Sequence, residues 1–144
     1  MEFLDYFRQS LHLKPVDANT YSPLVLAYLG DSVYELMIRT RVTNRGSMQV
    51  NKMHKKSASL VKAQTQAQIL KLLEPELTPE EEAVYKRGRN AKSASMAKHA
   101  TMIDYRMATG FEALIGYLFL TEQYSRMVEL VGKGLEFIGE FESE

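Results

Sequence analysis

The sequence predicts an all-α protein. Apolar residues recur at helical spacing through most of the chain, and no segment shows the strict alternation of a half-buried strand. Helix start and stop residues also fall where the periodic stretches begin and end. With 144 residues and 45% hydrophobic content there is enough apolar material for a proper core, and residues 1–144 read as a single domain.

The first strong helix is expected from about Tyr21 to Thr43, with Pro23 tolerated in its first turn. Asn44 to Gly46 ends it, and Gly46 suits a left-handed position after a helix C-terminus. Ser47 can cap a short second helix through about His54. A third is expected over about Ser57 to Leu73, where Leu60, Ala63, Ala67, Leu70 and Leu73 form one apolar stripe. Pro75 closes it. Thr78-Pro79-Glu80-Glu81 is a start signal: Thr78 caps, Pro79 is preset for the first helical position, and Glu81 completes a capping box. That helix carries Tyr85 and runs into KRGRNAKS. Residues 93–101, SASMAKHAT, read as a loop. Two last helices are expected over about Tyr105 to Thr121 and Glu122 to Gly139, the latter weakened by Gly132 and Gly134.

Several function classes fall away. There is no cysteine, which removes disulfides, thiolate zinc sites and a cysteine nucleophile. The N-terminal MEFLDYFRQS has acids and no long apolar run, unlike a secretory signal. No stretch reaches the ~18 apolar residues of a membrane span. A cytoplasmic protein without membrane contact is therefore expected. His12, His54 and His99 lack ligand-like spacing, and no phosphate-cradling glycine loop or nucleophile elbow occurs.

The 18 basic and 18 acidic residues cancel, but they are segregated. No acid lies between Glu35 and Glu74, where Arg39, Arg41, Arg45, Lys52, Lys55, Lys56, Lys62 and Lys71 stand. None lies between Glu82 and Asp104, where Lys86, Arg87, Arg89, Lys92 and Lys98 stand. Such windows can build a positive face that binds polyanions on a neutral protein. Ordinary solvated helix faces are the alternative.

Two carboxylates stand out against their surroundings. Asp31 follows Gly30 within LVLAYLGDSVYELMIR, and Glu112 lies within MATGFEALIGYLFL with Gly116 one turn on. A carboxylate among apolar residues is costly unless its desolvation is offset. Glycine inside a helix costs about 0.5–1 kcal/mol relative to alanine, so Gly30 and Gly116 point to a close helix crossing. Such a crossing would bring Asp31 and Glu112 together. Two converging carboxylates repel unless one is protonated or a cation joins them. Mg²⁺ accepts one or two carboxylates plus waters and phosphate oxygens. Ringed by lysines and arginines, such a pair suggests a metal-dependent nuclease. The alternative is that each acid pairs with its own arginine.

The motifs sharpen this reading. YLGDS, Tyr28 to Ser32, resembles the first signature of the ribonuclease III family, and FEALIG, Phe111 to Gly116, resembles its second. Order and separation fit as well. HKKS (His54–Ser57) and EEEAVYKRGRNAKS (Glu80–Ser93) resemble the stand-alone bacterial branch of that family, Mini-ribonuclease III, whose members have no double-stranded-RNA-binding domain. The resemblance implies a ribonuclease III endonuclease-domain-like helical bundle acting as a homodimer. It implies Mg²⁺-dependent cleavage of double-stranded RNA, with Mn²⁺ as a substitute, leaving 5′-phosphate and 3′-hydroxyl ends. The branch matures the 23S ribosomal RNA precursor, with a ribosomal protein as a candidate partner.

The resemblance makes Asp31 and Glu112 the catalytic, metal-holding pair. It also shows departures: two family glutamates are replaced by Leu24 and Ala27, and a family aspartate by Thr109. Asp104 and Glu35 are further candidates without a motif match. Lys55, Lys56, Lys86, Arg87, Arg89 and Lys92 are the candidates for RNA backbone contacts. The competing readings are a catalytically inactive helical module that binds duplex or ribosomal RNA, and a purely structural dimer.

Overall fold

A computed structural model describes residues 2–92 and 101–142. In chain order its helices are α1 (Phe3–Ser10), α2 (Pro23–Asn44), α3 (Val50–Val61), α4 (Ala63–Leu73), α5 (Pro79–Asn90), α6 (Met102–Leu120) and α7 (Tyr124–Phe137). Short 3-10 turns occur at Ala18–Thr20 and Glu74–Glu76. Among the described residues there is no strand, as the periodicity predicts.

Local chemistry sets most of the boundaries. The Ser22 side chain accepts from the Val25 amide and Pro23 opens α2. Gly46 lies at φ 100°, the left-handed geometry expected after α2. Thr78 and Glu81 make both halves of the capping box that starts α5. Thr101 caps α6 through the Asp104 amide, so that helix begins three residues before the expected Tyr105. Of the loop expected over 93–101, residues 93–100 lie outside the described residues.

Three features depart from expectation. The short helix expected from Ser47 to about His54 instead starts at Val50, with Gln49 rather than Ser47 at its N-cap, and runs on to Val61 because no glycine or proline interrupts it. The helix α1 lies outside the expected set, although Glu2 and Asp5 form a capping box at its start. At eight residues it is too short to be stable alone. It is held by Phe3, whose ring packs edge-on against Phe119 and Tyr124. The single helix expected over Ser57 to Leu73 is instead split at Lys62, which is extended at φ −66°, ψ 153°. No glycine or proline marks this break. Side chains from elsewhere stabilise it by taking the last carbonyls of α3: Thr65 donates to Ser59, Tyr34 to Leu60 and Gln66 to Val61.

The core is organised about α6, whose residues from Met107 to Leu118 are buried except for Glu112. A helix apolar on all sides belongs at the centre of a bundle. The helices α2, α5 and α4 pack around it, and α7 closes against α4 and α6. Glycine sets the closest approaches. A Cβ on Gly30 would lie 1.7 Å from the Glu112 carbonyl oxygen, and one on Gly116 would lie 2.1 Å from that of Leu26. The α2–α6 crossing therefore exists only because both positions lack a side chain.

Candidate active site

The crossing of α2 and α6 makes the site. Gly30 lies against the backbone of Glu112, so the residue after Gly30 emerges beside that carboxyl group. Asp31 and Glu112, 81 positions apart in sequence, are brought into electrostatic contact and hydrogen-bonding reach. Their environments differ. Glu112 is partly buried, whereas Asp31 is exposed on the outer face of α2. The desolvation expected at Asp31 thus falls on Glu112. The surface of α2 explains why: Leu24, Val25, Tyr28 and Leu36 are exposed as well, so this apolar sequence is not wholly core.

Burial pushes the Glu112 carboxyl up to about 8, and the neighbouring Asp31 charge pushes in the same direction. A protonated Glu112 donates to Asp31, which also favours the neutral form. Among the described residues only Gln66 opposes this, with its Nε2 donating to Glu112 Oε2 over 3.3 Å. The same Nε2 donates to the Val61 carbonyl at 2.7 Å. The other amide atom, Gln66 Oε1, is buried without a hydrogen-bond partner among the described residues.

Two like charges held close, beside an unsatisfied buried oxygen, form a site that a hard divalent cation relieves. Among the described residues no group of three or more His, Cys, Asp or Glu side chains could hold a metal ion. A carboxylate pair is a donor set of the kind that suits Mg²⁺, whose remaining positions are filled by water or other oxygens.

The further acids do not join the pair. Glu35 bonds to Arg39 at 3.1 Å, the i,i+4 partner its spacing suggests. Asp104 occupies the first turn of α6, where its backbone amide is capped by Thr101. Of the positions replacing family acids, Leu24 is exposed and Ala27 buried. Thr109 turns onto its own helix, donating to the Tyr105 carbonyl.

The basic candidates divide between two helices. Lys55 is exposed on α3, while Lys56 is tied to Glu140 at 2.8 Å. On α5, Arg87 is exposed, Lys86 is paired with Glu82, and Arg89 lies over the Tyr85 ring at 5.6 Å. Lys92, just beyond α5, is exposed. Tyr85 itself is fully buried. Among the described residues α3 packs on α2 and α4, and α5 on α6 and α2, so the two basic groups stand on helices without extensive mutual packing.

Gln66 belongs to no motif, yet it joins α4 to the carboxylate pair. It falls on the buried stripe of α4 that includes Ala67 and Leu70. A long amide on an apolar face was the available signal.

Comparison with known proteins agrees with this geometry. The family model for the ribonuclease III domain matches residues 24–123, from the first turn of α2 to just past α6. A Mini-ribonuclease 3 of Clostridium tetani is 47% identical over 116 residues, spanning 80% of this chain and 77% of the relative. That of Brevibacillus brevis is 47% identical over 122 residues, spanning 85% and 91%. The fold is similar to a crystal structure of a Fusobacterium nucleatum protein, with TM-score 0.76 and 29% identity over 85% of this chain and 98% of that one. Converging carboxylates on a glycine-set crossing, a family model covering that crossing and close relatives over most of the chain give one result: this protein belongs to the ribonuclease III family, in its Mini-ribonuclease III branch.

Proposed function

We propose that this chain is a Mg²⁺-dependent endoribonuclease that cleaves double-stranded RNA, with Asp31 and Glu112 as the catalytic, ion-holding pair. The observation that carries the assignment is their convergence at the α2–α6 crossing, with Glu112 driven towards protonation and, among the described residues, no arginine or lysine to offset it. When bound, Mg²⁺ supplies neutralisation of phosphodiester charge and activation of water, and Mn²⁺ can replace it. The chain holds Glu112 in a partly buried setting and Asp31 on an open surface that duplex RNA can reach. Hydrolysis leaves a 5′-phosphate and a 3′-hydroxyl.

The working form is a homodimer. Its support is the apolar surface of α2 to one side of Asp31, where Tyr28 is 82% and Leu36 65% exposed. Exposed apolar surface of this kind fits a second copy better than water. The pairing would put one site near each RNA strand. Lys55, Lys56, Lys86, Arg87, Arg89 and Lys92 contact phosphates, reading duplex shape because the A-form major groove is too narrow for side chains. Similarity to the Mini-ribonuclease III branch supports maturation of the 23S ribosomal RNA precursor as the biological reaction, with a ribosomal protein helping to present the RNA. Residues 1–144 act as one catalytic domain, resident in the cytoplasm. Among the described residues no helix is long and apolar enough to cross a membrane.

The test is Asp31→Asn. It should abolish Mg²⁺-dependent cleavage of duplex RNA while leaving the helical signal and RNA binding intact. A wild-type protein that cleaves no duplex with Mg²⁺ or Mn²⁺ overturns the assignment in favour of an inactive RNA-binding module. Arg87→Ala combined with Arg89→Ala should weaken RNA binding and flatten its salt dependence, as loss of phosphate contacts requires.

A further inference from the structure

We propose that Gln66 is the positioning residue of this site: its amide, anchored on the last turn of α3, holds Glu112 in place and supplies Oε1 as an uncharged third oxygen of the ion site. The inference rests on the proposed ion site of Asp31 and Glu112 and assigns what stands beside them.

Gln66 is 2% exposed. A buried amide is costly unless its polar atoms find partners, yet only half of this one does. Nε2 donates both to the Val61 carbonyl and to Glu112 Oε2. The Val61 carbonyl can only accept, so the amide cannot flip without setting two oxygens against each other. That fixes which atom is left over. Oε1 is buried and has no hydrogen-bond partner among the described residues. Bonded to the same carbon as Nε2, it lies no more than about 6 Å from Glu112 Oε2. An acceptor within that range of Glu112 is suited to the hydration water of a cation held by the carboxylates.

The anchor is stiff. Three side chains take successive carbonyls at the end of α3, with donor distances of 2.7, 2.8 and 2.7 Å for Thr65, Tyr34 and Gln66. Tyr34 also packs edge-to-face on Phe111, the residue before Glu112, at 5.2 Å. The break at Lys62 is thereby tied to both partners of the site. A neutral donor also suits the task. Lysine at this position would neutralise Glu112 and compete with a divalent ion. A carboxylate would add a third negative charge. An amide orients Glu112 without doing either.

The experiment measures Mn²⁺ binding directly, by electron paramagnetic resonance of free Mn²⁺, together with Tm in EDTA and in Mn²⁺ and cleavage kinetics on duplex RNA. Gln66→Leu should bind Mn²⁺ about tenfold or more weakly and lose kcat by about 10–100-fold, as for loss of a group that orients a metal ligand, with KM for RNA within about twofold of wild type. Gln66→Glu should be less stable in EDTA, and its rise in Tm on adding Mn²⁺ should exceed that of wild type. A Gln66→Leu protein that loses Tm but binds Mn²⁺ and turns over like wild type overturns the inference, because Gln66 is then only a helix cap. If Gln66→Leu does not fold, Gln66→Glu decides: a Tm rise no larger than that of wild type overturns it. Wild type without Mn²⁺ binding removes the ion site and this inference together, whereas binding in wild type and equal binding in Gln66→Leu removes the inference alone.

Discussion

Two glutamates withdrawn from water meet opposite treatment in this molecule. Glu81, 4% exposed near the start of α5, is surrounded by donors. Arg126 reaches it through Nε and a terminal nitrogen at 2.8 and 2.9 Å, and the Thr78 amide donates at 2.9 Å. These bonds, Arg126 foremost, hold its carboxyl below the usual range. Glu112, at the α2–α6 crossing, has one long amide bond and a second carboxylate, and is pushed up to about 8. The same side chain is a structural ion pair in one place and a carboxyl group without a cationic partner among the described residues in the other. The difference lies in what faces it: a bidentate guanidinium serves stability, whereas a like charge stays unfavourable until something cationic arrives.

The largest effect that would sharpen this contrast is on activity. Glu112→Gln should lower kcat by about a thousandfold, the scale for losing a group that stabilises charge in a transition state. It should leave Tm in EDTA near that of wild type at neutral pH, because the amide mimics a protonated acid, and it should abolish the rise in Tm with Mg²⁺. A marked loss of Tm in EDTA would make Glu112 as structural as Glu81. Next comes Glu81→Gln. Weakening the buried pair, with Arg126 keeping its bonds to Glu129 and the Glu76 carbonyl, should cost about 2 kcal/mol, read by denaturant unfolding, with kcat unchanged in the folded fraction. Loss of kcat there would break the division.

The smallest effect is a slope with pH, and the two sites should give opposite signs. A folded state that raises the Glu112 pKa above its ordinary value is favoured at low pH. This contribution is full below about 4.5 and is lost as pH rises towards 8. Glu81 has a depressed pKa, so its contribution is present above about 4.5 and is lost as acid protonates it. Between pH 5 and 8 the metal-free protein should therefore lose stability, by at most about 1.4 kcal/mol per pH unit from Glu112. Saturating Mg²⁺ or Glu112→Gln should flatten that slope. A wild-type slope that neither change alters would place the titrating group elsewhere.

Much of the site was legible because its signals are local or carried by motifs. Gly30-Asp31 and Glu112 with Gly116 announced both the acids and the close approach that joins them, and the crossing has the expected form. The identity of the desolvated acid was not legible. Periodicity made the Asp31 helix look buried, but which face of an apolar helix turns inward depends on its neighbours, and α6 took the centre instead. Gln66 reaches Glu112 across 46 positions and Arg126 reaches Glu81 across 45, so neither contact has a spacing rule.

The sequence by itself determined the helical class, the cap at Thr78, the left-handed Gly46 and the two acid-bearing motifs. Each of these depends on interactions within a turn or so of chain, or on a backbone freedom that only one residue type has. Tertiary structure decided the docking of α1, the exposure of Asp31 and the withdrawal of Glu112, and it completed the break at Lys62, where Thr65 and Gln66 act locally and Tyr34 from 26 positions away. Those depend on where side chains of other helices stand: an aromatic ring against Phe3, Tyr34 at the end of α3, and α6 apolar enough to be surrounded. A carboxylate is as buried, and as charged, as its neighbours in space allow.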